Sequence, residues 1–238
     1  MNIFLKRIKP ILIKATRIMI LSAFALTLAN CSSTQMVRVE PVLDLTKFQK
    51  TFIAKYGNNE MPNFIAWQSM MNSIQGKPSD EKIKRVNEFF NRRILWDNDL
   101  SIWGQVDYWA TPMETIAKGA GDCEDFVIVK YYSLLTLGIQ VAKLRLVYVE
   151  AKNSNVITSG NQAHMVLAYY AAPDTEPLIM DNLITEIRPA SRRPDLIPVF
   201  SFNSDGIYLG AGVKAGLAEN AKLSKWQDLM QRAKVEGF

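Results

Sequence analysis

The sequence predicts an α+β domain with an antiparallel sheet, and three observations predict it. Apolar residues recur at helical spacing through the first half of the chain. Short β-rich runs broken by Asn, Ser, Gly and Pro fill the second half, and the helix between the two is apolar on nearly every face. At 238 residues, 48% of them hydrophobic, the chain can bury one substantial core and leaves little room for a second.

The first 29 residues stand apart. They carry Lys6, Arg7, Lys9, Lys14 and Arg17, then the apolar run Ile18 to Ala29, and no acid, which is the order of a secretory signal. The apolar run is about 12 residues, short of the roughly 20 that a spanning helix needs. Small residues in Thr27-Leu28-Ala29 suit cleavage after Ala29. Leu28-Ala29-Asn30-Cys31 departs from a lipoprotein site by placing Asn before the cysteine, so lipid anchoring at Cys31 is the lesser alternative.

Five of the 28 Lys+Arg lie in that segment, so the remaining 23 balance the 23 Asp+Glu. The formal net charge of +5 therefore belongs to the signal. A neutral mature chain lacks the basic character of nucleic-acid binders, and no nucleic-acid partner is expected.

Residues 30–238 read as one domain: a polar leader to about Glu40, a helical lobe over about 40–118, a helix and sheet over about 119–212, and a closing helix over about 221–236. Phe64 to Ile74 and Lys82 to Trp96 have helical spacing, the second through Ile83, Val86, Phe89, Phe90 and Ile94. Thr111-Pro112-Met113-Glu114 is a capping box with proline at the first helical position, and Gly119 is the stop. The next helix starts at once. Asp122 is placed to cap it, and its apolar residues Phe126 to Leu137 cover nearly every face before Gly138 ends it. Leu144 to Glu150, Ala163 to Tyr170, Leu178 to Asn182 and Gly206 to Leu209 read as strands. Leu223 to Val235 reads as the closing helix.

Cys31 lies at the processing boundary, which leaves Cys123 a free thiol in an oxidising compartment. An isolated cysteine commonly serves as a small buried hydrophobe. This one stands at a helix start, where unpaired N–H groups and the helix dipole favour a thiolate and can receive an oxyanion. His164 is the sole histidine of the chain and sits in an expected strand. The turn Ala171 to Pro177 returns Leu178 to Asn182 against that strand, which brings Asp181 close to register with His164. Thiol, imidazole and acid are the minimum for an activated cysteine nucleophile. The same set serves peptide hydrolysis, acyl transfer to an amine or hydrolysis of a wall amide, and a binding module of the same fold is a non-enzymatic alternative.

Asp122, Glu124 and Asp125 put three carboxylates beside the sulfur that must become an anion. Either they cap the helix and complement its dipole, or they hold Ca²⁺, which takes about 6 to 8 oxygens and would need carbonyls and waters besides. The turn around Asp174 is a candidate source of further ligands. Trp103, Tyr108 and Trp109 read as core or as the lining of a cleft.

At these residues the chain resembles the bacterial transglutaminase-like cysteine proteases of the LapG type, which release giant surface adhesins in biofilm control. The likeness spans roughly Phe64 to Tyr208. It is carried by Arg85-Val86-Asn87, Phe89 to Arg93, Gln105 to Pro112, Gly119 to Phe126, Gln162 to Tyr170, Asp181-Asn182-Leu183 and Pro198 to Asn203. It implies a transglutaminase-like (papain-like) fold and a periplasmic endopeptidase, with Cys123 as nucleophile, His164 as base and then acid, and Asp181 orienting the imidazole. It further implies calcium dependence through Asp122, Glu124 and Asp125. The implied substrate is a large repeat adhesin cut at paired alanines, and the implied regulator is an inner-membrane cyclic-di-GMP receptor that sequesters the enzyme. The sequence departs from the pattern at the linker Lys152 to Asn161 and at the far carboxyl terminus.

Overall fold

Helical periodicity in the first half becomes three helices: α1 (Thr46–Tyr56), α2 (Met61–Ile74) and α3 (Ser79–Arg93). The structure, a computed structural model, describes residues 44–152, 161–209 and 217–238, all within the compact unit Glu40–Phe238. The expected signal, Cys31, the polar leader and the linker after Lys152 lie outside the described residues.

In α3 the apolar stripe Ile83, Val86 and Phe90 is buried, with acids in the first turn and Arg92 and Arg93 in the last, matching the helix dipole. The sequence predicts this helix to reach Trp96, but it ends at Arg93. Ile94 is extended, and Leu95–Trp96 forms strand β1, paired in parallel with β2 (Ala120–Gly121). Three bulky apolar residues in a row suit a strand as well as a helix, and the tertiary pairing decides. A short helix α4 (Asp99–Trp103) follows, capped by the Asn98 side chain on the Ser101 amide.

The predicted capping box is present in α5 (Pro112–Lys118). Thr111 Oγ1 accepts the Glu114 amide, Glu114 returns a carboxylate oxygen to the Thr111 amide, and Gly119 closes the helix in the left-handed conformation. β2 leads directly into α6 (Cys123–Thr136), whose Phe126, Val127, Ile128, Val129, Tyr131 and Leu134 are all buried. An apolar helix with no exposed face can only be central, and α6 packs against α3, α5 and the sheet.

The second half is one antiparallel sheet of order β6-β5-β4-β3-β7-β8. Its members are β3 (Leu144–Lys152), β4 (Asn161–Tyr169), β5 (Leu178–Met180), β6 (Arg188–Pro189), β7 (Leu196–Asn203) and β8 (Gly206–Leu209). Strand β7 carries Pro198 and so gives a weak strand signal. Pro198 pairs opposite Val149, at the point where the register with β3 shifts, which is where a sheet tolerates proline. Met165, Leu167, Leu146 and Phe202 join the main core with α6, while Val147, Val149, Val166 and Ile179 form a smaller cluster.

The closing helix α7 (Leu217–Glu236) is longer than its apolar spacing predicts. It seats buried Trp226 against Tyr131 and Phe202, and its buried Glu236 accepts hydrogen bonds from Lys55, Tyr56 and Thr111. The last helix is thereby tied to α1 and α5. Among the described residues no helix is long and apolar enough to cross a membrane.

Candidate active site

Cys123 is the first residue of α6, partly exposed, with its thiol donating to Glu124 Oε2 at 2.7 Å. Burial, then the charges of Glu124 and Asp122, push this thiol well above its ordinary value. A hydrogen bond from the Met165 backbone acts in the opposite sense and sets the sulfur against β4, next to His164.

His164 is 5% exposed, and its Nε2 lies 2.8 Å from Asp181 Oδ1. The expected turn does return β5 against β4: Leu167 pairs with Met180, so Asp181 is the next residue out, on the face of Val166 and His164. Asp181 is fully buried and fully engaged. Oδ1 also accepts the Leu183 amide at 3.0 Å, and Oδ2 accepts Arg193 Nη2 at 2.7 Å. Burial opposes the charge, but the bond to His164, the Leu183 amide and Arg193 outweigh it and hold the carboxyl down at about 2. Asp181 stays an anion at any physiological pH, and the Nδ1 nitrogen of His164 is left for another partner.

Cys123 and His164 line one cavity of about 770 Å³, shared with Asp99, Asp122, Glu124 and Trp96. Trp96 is 60% exposed at its rim. Of the aromatics expected to line a cleft or fill the core, Trp109 is core, stacked on Phe202. Trp103 and Tyr108 pack on each other, and neither lines this cavity.

The acids around Cys123 divide into two groups. Asp122 holds the position of a helix cap, but its side chain makes no capping hydrogen bond and Oδ1 has no partner, so capping does not account for it. Asp125 Oδ1 accepts the Ala110 amide at 2.9 Å, and Asp99 Oδ2 accepts the Tyr108 amide at 2.7 Å. The second oxygen of each is buried with no hydrogen-bond partner. Asp99, Asp122 and Asp125 bring one oxygen each within 4.8 Å of one another, while Glu124 groups with Asp122 and the Cys123 sulfur. Burial first, and the charges of neighbouring acids after it, Glu124 in every case, raise all three aspartates above the usual carboxylate range. Converging orphaned oxygens on hard ligands fit a divalent cation such as Ca²⁺. Asp174 lies in an exposed turn, outside both groups.

Sequence reading missed Asp99 and Arg193. Asp99 sits 23 positions before Asp122 in a five-residue helix with no distinctive pattern, and only the β1–β2 pairing brings it near. Arg193 carries no local signal of a role, yet it is 3% exposed and bridges Asp181 and Asp195.

Solved structures place this arrangement among relatives. LapG of Legionella pneumophila is 38% identical over 82% of this chain and 99% of its own, with a TM-score of 0.67. The calcium-bound form is 39% identical over 79% of this chain and 98% of its own, with a TM-score of 0.66. The EGTA-treated form is 37% identical over 82% and 100%, with a TM-score of 0.67. No curated protein matches the chain. The description "Bacterial transglutaminase-like cysteine proteinase BTLCP" matches residues 56–194, more than half the sequence, and the chain belongs to that family.

Proposed function

We propose that this protein is a calcium-dependent periplasmic cysteine endopeptidase in which Cys123, His164 and Asp181 are the catalytic residues. The observation that carries the reading is the His164 Nε2–Asp181 Oδ1 bond of 2.8 Å, in a cavity that also holds the thiol at a helix start. His164 takes the Cys123 proton through the nitrogen that Asp181 leaves free, and the thiolate attacks the scissile carbonyl carbon. The first N–H groups of α6 receive the oxyanion. His164 gives the proton to the departing amine, and water then hydrolyses the thioester. Asp181, anionic throughout, stabilises the imidazolium.

Calcium-bound and EGTA-treated forms of the Legionella relative support a metal in this fold, and the unpartnered oxygens of Asp99, Asp122 and Asp125 support a site among these acids. Asp99, Asp122 and Asp125 would hold Ca²⁺, with Glu124 on its thiol side; the ion would supply positive charge that offsets the acids crowding the sulfur.

Substrate, regulator and location extend from the family likeness. The substrate is the amino-terminal region of a large repeat adhesin, whose release promotes biofilm dispersal, and an inner-membrane cyclic-di-GMP receptor sequesters the enzyme. Residues 1–29 act as the export signal. Purified protein is incubated with an adhesin amino-terminal fragment, with and without Cys123→Ala. Cleavage lost only in the variant supports the reading. Cleavage by both would overturn it, and amide release from murein alone would favour a wall amidase.

A further inference from the structure

We propose that Lys130 and Asn91 are positioning residues for the His164–Asp181 pair, acting on Asp181 through its main-chain oxygen. The inference rests on the thiol-protease reading above.

Lys130 stands two turns along α6 from Cys123, on the same side of the helix, and is fully buried. Its Nζ donates to Asn91 Oδ1 at 2.6 Å, and the ammonium also lies 5.5 Å from the centre of the Phe126 ring. Asn91 Nδ2 in turn donates to the Asp181 carbonyl at 2.6 Å and to Thr185 Oγ1 at 3.3 Å.

The chemistry of the three groups makes this relay directional. An amide can present either its oxygen or its nitrogen to a neighbour, but an ammonium only donates. In its ammonium form Lys130 therefore selects the Asn91 oxygen, which turns the Asn91 nitrogen toward Asp181. The carbonyl it grips belongs to the residue whose carboxylate holds His164. Asp181 follows directly on β5, a three-residue strand, and is outside the ladder, so the sheet alone does not fix it. Asn91 pins it from α3 and Arg193 from the other side.

A lysine is a costly way to fill a core. Burial pushes its ammonium down to about 7, against the pull of Asp181. Methionine would fill similar volume without that penalty. A charged donor at this place makes sense as a device for orientation rather than for stability.

The experiment reads the thiol directly and so needs no protein substrate. The parent, Asn91→Asp and Lys130→Met proteins, each in saturating calcium, are alkylated with iodoacetamide between about pH 5 and about pH 9. Modification of Cys123 is followed by peptide mass to separate it from Cys31, and melting is recorded in parallel. Asn91→Asp keeps an acceptor for Lys130 but removes the donor to the Asp181 carbonyl. Lys130→Met keeps volume and removes the donor to Asn91. Both are expected to slow Cys123 alkylation about tenfold or more near neutral pH, the scale of a misplaced reacting group. Lys130→Met is expected to melt at or above the parent's temperature. Parental alkylation in either folded variant overturns the proposal, and so does loss of folding in both, which would make the pair structural. Because iodoacetamide reports on the thiol and its base alone, a wrong substrate assignment would leave this result standing.

Discussion

Asp125 presses against Gly121 so closely that a side-chain carbon on the glycine would stand 2.7 Å from Asp125 Cβ and 2.9 Å from Oδ2. The glycine is needed for space. Its backbone also forms the β2 rung that faces Trp96 of β1 and delivers the chain to Cys123. Gly121→Ala is expected to displace the Asp125 carboxylate from the Ala110 amide and from the acid cluster. The cost should be about 1–3 kcal/mol of stability, with weaker calcium binding. Thermal denaturation and calcium calorimetry check both, and an alanine variant with parental affinity would show that Asp125 plays no part in the metal site.

Replacing Cys123 with alanine removes one partly exposed sulfur and little packing. The variant should fold as the parent does and lose all cleavage. His164→Ala should behave likewise. Asp181→Asn should keep its shape but present the wrong partner to the imidazole, with loss of activity on the order of 10⁴-fold where the acid orients the base. Activity retained in Asp181→Asn would remove the acid from the mechanism.

The helix-to-strand order, the capping box at Thr111 and the return of β5 against β4 were all legible, because each is written in local pattern and turn chemistry. So were Cys123, His164 and Asp181 as residues of interest, one a helix-start thiol and one the sole histidine. What escaped depends on long-range contact. β1 begins where apolar spacing still looks helical, and β7 is disguised by Pro198. Asp99 and Arg193 reach the site only because the chain folds back on it, and their neighbours in sequence carry no trace of that.

Arg193 is the buried cation on Asp181, so its removal should show both in stability and in acid tolerance. With the Asp181 carboxyl at about 2 in the fold and near about 3.9 when unfolded, its bonds contribute stability that is present above the unfolded value and lost as pH falls toward 2. Arg193→Met leaves a buried carboxylate without its cation, at a cost of about 3–5 kcal/mol. It also narrows that acid window. Melting curves from about pH 7 down to about pH 2 should show a lower plateau and a shallower acid limb than the parent. Equal plateaus would mean that Asp195 alone holds Arg193.

Calcium should stabilise this protein increasingly as pH rises, and the direction follows from the acids. Burial and the charges of neighbouring acids, Glu124 among them, raise Asp99, Asp122 and Asp125, so the cation-free fold binds protons more tightly than the unfolded chain does. Stability of that form therefore falls as pH climbs from the ordinary carboxylate value near 4 through the raised values. Calcium needs the deprotonated oxygens, so it competes with protons and recovers what deprotonation removes. In EGTA the melting temperature should drop between about pH 5 and about pH 8. In calcium at about 100 times its dissociation constant, stability should exceed the EGTA form by about 2.7 kcal/mol. Asp99→Asn separates charge from structure, since an amide oxygen can still accept the Tyr108 amide while the negative charge is lost. That variant should melt in EGTA at or above the parent's temperature, bind calcium at least about tenfold more weakly, and need more of the ion for any cleavage. A melting temperature that calcium leaves unmoved at about pH 8, with cleavage unchanged in EGTA, would take the metal out of the mechanism and leave the acids as a cost that the fold carries for another reason.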